Sequence, residues 1–219
     1  MPDYRTKDVS HPGQQDIVIN LSDESGIKPD WLLNFFEQSI KAGARFRPDE
    51  TIQIGWMLTI LKETKNGDLE VWEPQFDSMP IKWTRGVNNT IRHLILQKSV
   101  PELLGCEPNF PSLQQAGITS QMFLDKPDEF IMSREMAGDD SGWAFRDAHE
   151  EITKETPCEY KSLYELSLFC MQIIPFLALP DGTKVTKRHG ETILELGSKK
   201  VSSNQSETLK RIAEAEYLI

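Results

Sequence analysis

Residues 65–68, Lys-Asn-Gly-Asp, stand between two β-rich runs, TIQIGWMLTILKET (51–64) and LEVWEPQF (69–76). Asn-Gly accepts the positive backbone angles that a two-residue hairpin turn demands, so the runs are predicted to pair antiparallel. Ile52, Ile54, Trp56, Leu58 and Ile60 alternate along the first run and give it one buried face. In that register Trp56 and Trp72 pack as a cross-strand pair.

The rest of the chain repeats these materials in another order. DIVINL (16–21) reads as a short strand, and PDWLLNFFEQSIKAG (29–43) as a helix bracketed by Pro29 and Gly43. Its Leu32, Phe35, Phe36, Ser39 and Ile40 share one face. A second helix is predicted over 87–100, striped by Val87, Ile91, Leu94 and Ile95 and ended by Pro101 and Gly105. EFIMSRE (129–135) and GWAFRD (142–147) read as strands joined through Met136 to Ser141. KSLYELSLFCMQIIPFLAL (161–179) reads as one helix with Leu163, Leu166, Cys170, Ile173 and Leu177 on its apolar seam. TKVTKR (183–188) and ETILEL (191–196) form a hairpin around His189-Gly190, and the polar spacer GSKKVSSNQS leads to a terminal helix capped by Ser206. Strands grouped apart from helices, without βαβ alternation, predict an α+β fold. The prolines of EPNFPSLQQAG (107–117) suggest two small α+β halves, each with antiparallel hairpins packed on helices. The expected divisions are 1–117, 118–200 and a C-terminal helix over 201–219.

A formal charge of −10 over 219 residues narrows the partners. Phosphate backbones and anionic lipid surfaces call for clustered Lys and Arg, so no nucleic acid or membrane partner is expected. The N-terminal MPDYRTKDVSHPGQQD lacks the apolar core of a signal peptide, and no run reaches a membrane span. Cys106, Cys158 and Cys170 are odd in number and widely spaced, which fits neither a disulfide framework nor a zinc site and suits a reducing cytoplasm. Cys170, inside an apolar pattern, is expected as a buried thiol.

Recognised catalytic signatures do not emerge. Glycine-rich phosphate loops and the Gly-x-Ser-x-Gly elbow are missing, and His149-Glu150-Glu151 is followed by Thr153 where a metalloprotease motif needs its second histidine. The histidines, His11, His93, His149 and His189, are scattered, and Cys158 with His149 has no local support as a nucleophile pair. No catalytic residue, metal or cofactor is assigned.

The most distinctive segment is REMAGDDSGWAFRD (134–147). Asp, Ser and Gly build turns for backbone reasons, and the calcium-loop spacing is not there, so Asp139-Asp140-Ser141-Gly142 reads first as a hairpin turn. From 125 to 159 eleven acids face four bases, a local balance of −7 within a total of −10. Such a run is either a solvated face or a recognition surface on a rigid hairpin. The candidate partner-binding residues are Glu135, Asp139, Asp140, Asp147, Glu150 and Glu151, with Trp143 as interface anchor or as core support.

This segment, with YKSLYELSLFCMQIIPFLALPDGTKV after it, resembles the bacterial immunity-protein family thirty-three, formerly a domain of unknown function, over about residues 128–188. The resemblance rests on Ser133, Arg134, Asp140, Ser141, Gly142, Trp143, Tyr164, Leu166, Ile174, Pro175, Leu177 and Gly182, while the stretch between Arg146 and Tyr160 departs from the pattern. It implies a cytoplasmic, non-enzymatic protein that binds and neutralises a cognate toxin protein; an acidic binder would suit a toxin with a basic cleft, such as a nuclease. Two other readings compete. One is a small-molecule or peptide-binding accessory domain with a groove lined by Trp56 and Trp72. The other is a hydrolase using Glu135 with Asp139 or His149.

Overall fold

The computed structural model describes residues 2–7, 13–22, 28–136, 138–153 and 155–214. They form an α+β fold in two compact units that part between Arg92 and His93, inside a helix, whereas the prolines at 107–117 suggested a later join.

In the first unit a six-stranded sheet runs in the order β1 (Asp3–Arg5), β2 (Ile17–Asn20), β5 (Leu69–Gln75), β4 (Met57–Glu63), β3 (Thr51–Ile54), with β6 (Lys82–Arg85) also paired to β5. The Asn66-Gly67 hairpin is present, with Glu63 opposite Leu69 and Gly67 at φ 85°. The run 51–64, expected as one strand, is two. Gly55 adopts φ 61°, and Ile54 pairs with Met57 across the intervening Gly55-Trp56 turn. A glycine inside a strand pattern is where such a reversal can be made. The turn also dissolves the expected tryptophan pair: Trp72 faces Ile60, while Trp56 is wholly buried beside Phe76, ring centroids 5.9 Å apart. Helix α1 (Asp30–Lys41) buries Leu32, Phe36 and Ile40, but leaves Phe35 of the expected stripe exposed.

Helix α2 (Asn88–Leu104) continues through Pro101, past the expected stop. Its first turn is held by a buried carboxylate. Glu73 accepts from the Asn89 and Thr90 amides (3.0 and 2.7 Å) and from the Thr90 hydroxyl (2.9 Å). These are the donors that a helix start leaves without partners.

The second unit carries a seven-stranded sheet in the order β10 (Cys158–Ser162), β7 (Ala116–Ser120), β9 (Trp143–Asp147), β8 (Phe130–Arg134), β11 (Thr183–Arg188), β12 (Glu191–Leu196), β13 (Lys199–Ser202). All neighbours are antiparallel except β7 and β9, and the short helix α3 (Gln121–Asp125), capped by Ser120, follows β7. The hairpins β8–β9 and β11–β12 form where expected. Strand β13 lies in what read as a polar spacer. Ser206 accepts from the Leu209 amide and caps the short helix α5 (Glu207–Ala213); residues 215–219 of the expected terminal helix lie outside the described residues.

The single helix expected over 161–179 is three pieces. Residues 158–162 are strand β10. Ser162 and Glu165 then make a reciprocal capping box that starts helix α4 (Leu163–Phe169). Cys170 is extended, and Met171–Phe176 tighten into a 3-10 segment that contains Pro175, a residue that disfavours an α-helix interior because it lacks the N–H and its ring crowds the preceding turn. The seam residues Leu163, Leu166, Cys170, Ile173 and Leu177 are nevertheless all buried. Gly117 shows how closely β7 packs: a Cβ there would lie 2.8 Å from Phe145 and 3.2 Å from Leu166.

Burial raises the Glu73 carboxyl from its ordinary 4.5 to about 7, against the lowering effect of the Thr90 and Asn89 hydrogen bonds. Between those values the folded chain holds a proton that the unfolded chain has released, so stability falls as pH rises and levels off above the upper value. The full effect is on the order of 3 kcal/mol. Glu73→Gln is expected to flatten this slope in urea unfolding followed from about pH 4 to about pH 8; an unchanged slope would remove Glu73 as its source.

Candidate functional site

The hairpin β8–β9 carries the distinctive segment. Period-two alternation puts Phe130, Met132 and Arg134 on one face of β8, and Trp143, Phe145 and Asp147 on the same face of β9; all six are buried. Arg134 is therefore a cation directed into the core, only 5% exposed. Its Nε donates to the Ser141 carbonyl (3.1 Å), and its Nη1 to those of Asn109 (2.6 Å) and Leu179 (2.7 Å). The Asp181 carboxylate lies 3.5 Å from Nε, and the guanidinium sits 5.7 Å from the Trp143 ring centre. Burial draws the Arg134 pKa downward, and Asp181 opposes that shift.

Trp143, 1% exposed, donates its indole N–H to the Leu177 carbonyl at 3.0 Å. The turn is locked from the same side. Asp140 accepts from the Gly142 amide (2.9 Å), an Asx bond two residues on, and Gly142 has φ 72°. The Ser141 hydroxyl and amide both donate to the Ala116 carbonyl (2.6 and 2.9 Å), and Gln115 donates to the Asp140 carbonyl (3.1 Å). The Arg134 carbonyl receives the Gly182 amide at 2.8 Å. Arg134, Asp140, Ser141, Gly142, Trp143, Leu177 and Gly182 thus belong to one bonded cluster.

The candidate acids do not form one patch. Glu135 and Asp139 are exposed and Asp140 half-buried at the turn, beside an open recess of ≈480 Å³ that Asp139 and Asp140 line with Gln114 and Gln115. Asp147, Glu150 and Glu151 lie at the other end of the hairpin, across roughly 14 Å of strand. Asp147 is 5% exposed and accepts from the His149 amide at 2.7 Å. Burial removes both Asp147 and Trp143 from the partner-facing set, and Trp143 takes the core-support role. Glu150 is half-buried, with its carboxylate bonded to the Ser120 hydroxyl and its carbonyl to Arg146 (2.7 Å). Glu151 is exposed.

Alternation also marks what sequence reasoning missed. Arg134 and Asp147 fall in phase with Phe130, Met132, Trp143 and Phe145, so the strand pattern already placed them inside. A polar cluster at the hairpin base had no local signal. There Glu129 meets His149 Nε2 (2.6 Å) and the His189 amide (2.6 Å), and Arg188 Nη2 lies 3.0 Å from His149 Nδ1. The bond from the His189 amide, then that from His149, holds the Glu129 carboxyl below its ordinary range.

The chemistry these arrangements offer is limited. Glu135 and His149 sit at opposite ends of the hairpin, so they share no reacting atom. Both nitrogens of His149 are engaged by Glu129 and Arg188, not by Cys158. Burial pushes the Cys170 thiol up to about 11. Among the described residues no cluster of His, Cys, Asp and Glu could hold a metal ion. With Trp56 buried, the expected tryptophan groove loses one of its walls.

Arg134→Met strips the carbonyls of Asn109, Ser141 and Leu179, the last two in buried residues, of a shared donor and is expected to cost about 3 kcal/mol in urea unfolding. Arg134→Lys, which keeps the charge but not the fork, should fall between the two. A loss for Arg134→Met within about 0.5 kcal/mol would mean the guanidinium holds nothing together.

No family model matches the chain, and no curated protein or solved structure matches it.

Proposed function

We propose that the chain is a cytoplasmic, non-enzymatic immunity protein that binds a cognate bacterial toxin and neutralises it by occluding its active site. The observation that carries this reading is the β8–β9 turn: Glu135 and Asp139 stand exposed on a loop bonded from beneath through Asp140, Ser141 and Gly142. Carboxylates on a preorganised turn lose little entropy on binding. A basic cleft built for phosphate would attract them, and the net charge of −10 would speed the encounter. The resemblance over 128–188 points to the same class. Three free thiols suit a reducing compartment, and among the described residues no helix is long and apolar enough to cross a membrane.

The test takes the products of the genes flanking this one as candidate toxins. The chain is expected to form a complex with one of them and to rescue cells that express it; failure of both would overturn the reading. The combined variant Glu135→Gln, Asp139→Asn, Asp140→Asn keeps an Asx acceptor at 140 while removing the charges. Its association rate should fall about tenfold at low salt and converge on the parent's at high salt. Equal rates at every salt concentration would show that this turn is not the contact surface.

A further inference from the structure

Between the two acid clusters lies an apolar hollow that the proposed function does not use. The face of the second sheet opposite Met132 and Phe145 carries Ile118, Ile131 and Ala144, and the loop after β9 brings Ile152 over them. Together with Cys158 they line a concavity of ≈170 Å³. Ile152 is 50% exposed and Tyr160, opposite Ile118 on the edge strand, 68% exposed.

Size and surroundings select the occupant. Drug-sized ligands fill pockets of about 300–1,000 Å³. An apolar cavity of about 150 Å³ accommodates one benzene ring. The hollow therefore suits a single aliphatic or aromatic side chain. Within its polar lining, Arg146 is committed to the Glu150 carbonyl and Ser120 to the Glu150 carboxylate. Glu135 and Asp139 are exposed at one end of the hairpin, and Glu151 and Glu155 at the other. An apolar centre between acidic ends matches the anchor-and-rim anatomy of protein interfaces.

We infer that this face of β7, β8 and β9 docks a partner segment in which one apolar side chain, flanked on both sides by Lys or Arg, inserts between Ile118, Ile131, Ala144 and Ile152. The inference rests on the immunity reading for the partner's identity, and it deepens that reading by naming the contact chemistry.

The probes are the peptides Lys-Lys-Ser-Leu-Ser-Lys-Lys and Lys-Lys-Ser-Gly-Ser-Lys-Lys, whose seven residues span roughly 23 Å when extended and so reach both ends of the hairpin. Titrated into the isotope-labelled full chain, the leucine peptide is expected to shift the amides of Ile118, Ile131 and Ala144, with affinity about tenfold above that of the glycine peptide. Ala144→Leu, which fills the hollow, and Ile152→Ser, which opens its wall at an exposed site, should each abolish that difference. Equal affinity for the two peptides would overturn the inference. So would shifts of the same amides with protein concentration alone, which would mean that a second copy of the chain occupies the face. A toxin that the chain is found to neutralise separates the two ideas. Ala144→Leu and Ile152→Ser variants that bind it as the parent does would sink the docking surface and leave the immunity reading standing. A leucine-dependent response in a chain that neutralises no toxin would do the reverse.

Discussion

Arg134 is the interaction on which the second unit depends. A guanidinium taken from water is expensive unless its donors are met, and here backbone carbonyls from three separate stretches meet them: Asn109, Ser141 and Leu179. Those carbonyls belong to segments without regular ladders to satisfy them. One cation therefore ties the loop before β7, the β8–β9 turn and the chain leaving the 3-10 segment to a single point. Trp143 closes the arrangement by donating to Leu177 beside it. The first unit uses the inverse device, a buried carboxylate at Glu73 that receives the amides of a helix start.

The same knot explains how the turn can present its acids. Asp140 bonds the Gly142 amide, Ser141 bonds β7, and Trp143 lies inside, so the acids left exposed on the turn are Glu135 and Asp139. Rigidity comes from below and charge is left above. Of the acids concentrated in 125–159, those at the hairpin base are largely engaged: Asp147 with a local amide, Glu150 with Ser120, and Glu129 with two histidines. Local charge density overstated the free acidic surface, because sequence counts charges and cannot see which of them close a turn.

Where local chemistry decides structure, the sequence was readable. Asn66-Gly67, His189-Gly190 and Asp140-Ser141-Gly142 all made the turns expected of them, and β11 and β12 begin and end where their patterns do. Where partners far along the chain decide it, the reading failed. Strands β7, β10 and β13 exist because neighbouring strands offer them ladders, and none has a strong apolar alternation of its own. The long apolar run after Ser162 looked like one helix because burial on all sides hides periodicity. Yet its capping box, Ser162 to Glu165, and Pro175 were visible markers of where it starts and breaks. Arg134 too was legible in phase, although its charge argued for the surface.

If the Arg134–Trp143 knot keeps the hairpin closed until the unit unfolds, hydrogen exchange at the Trp143 indole reads it directly. Trp31, more than a third exposed, supplies the internal reference. The Trp143 indole N–H, bonded to the Leu177 carbonyl, should exchange only through global unfolding, at a free energy matching the denaturant value. Exchange of Trp143 as fast as that of Trp31 would show that the hairpin opens on its own and would contradict the account.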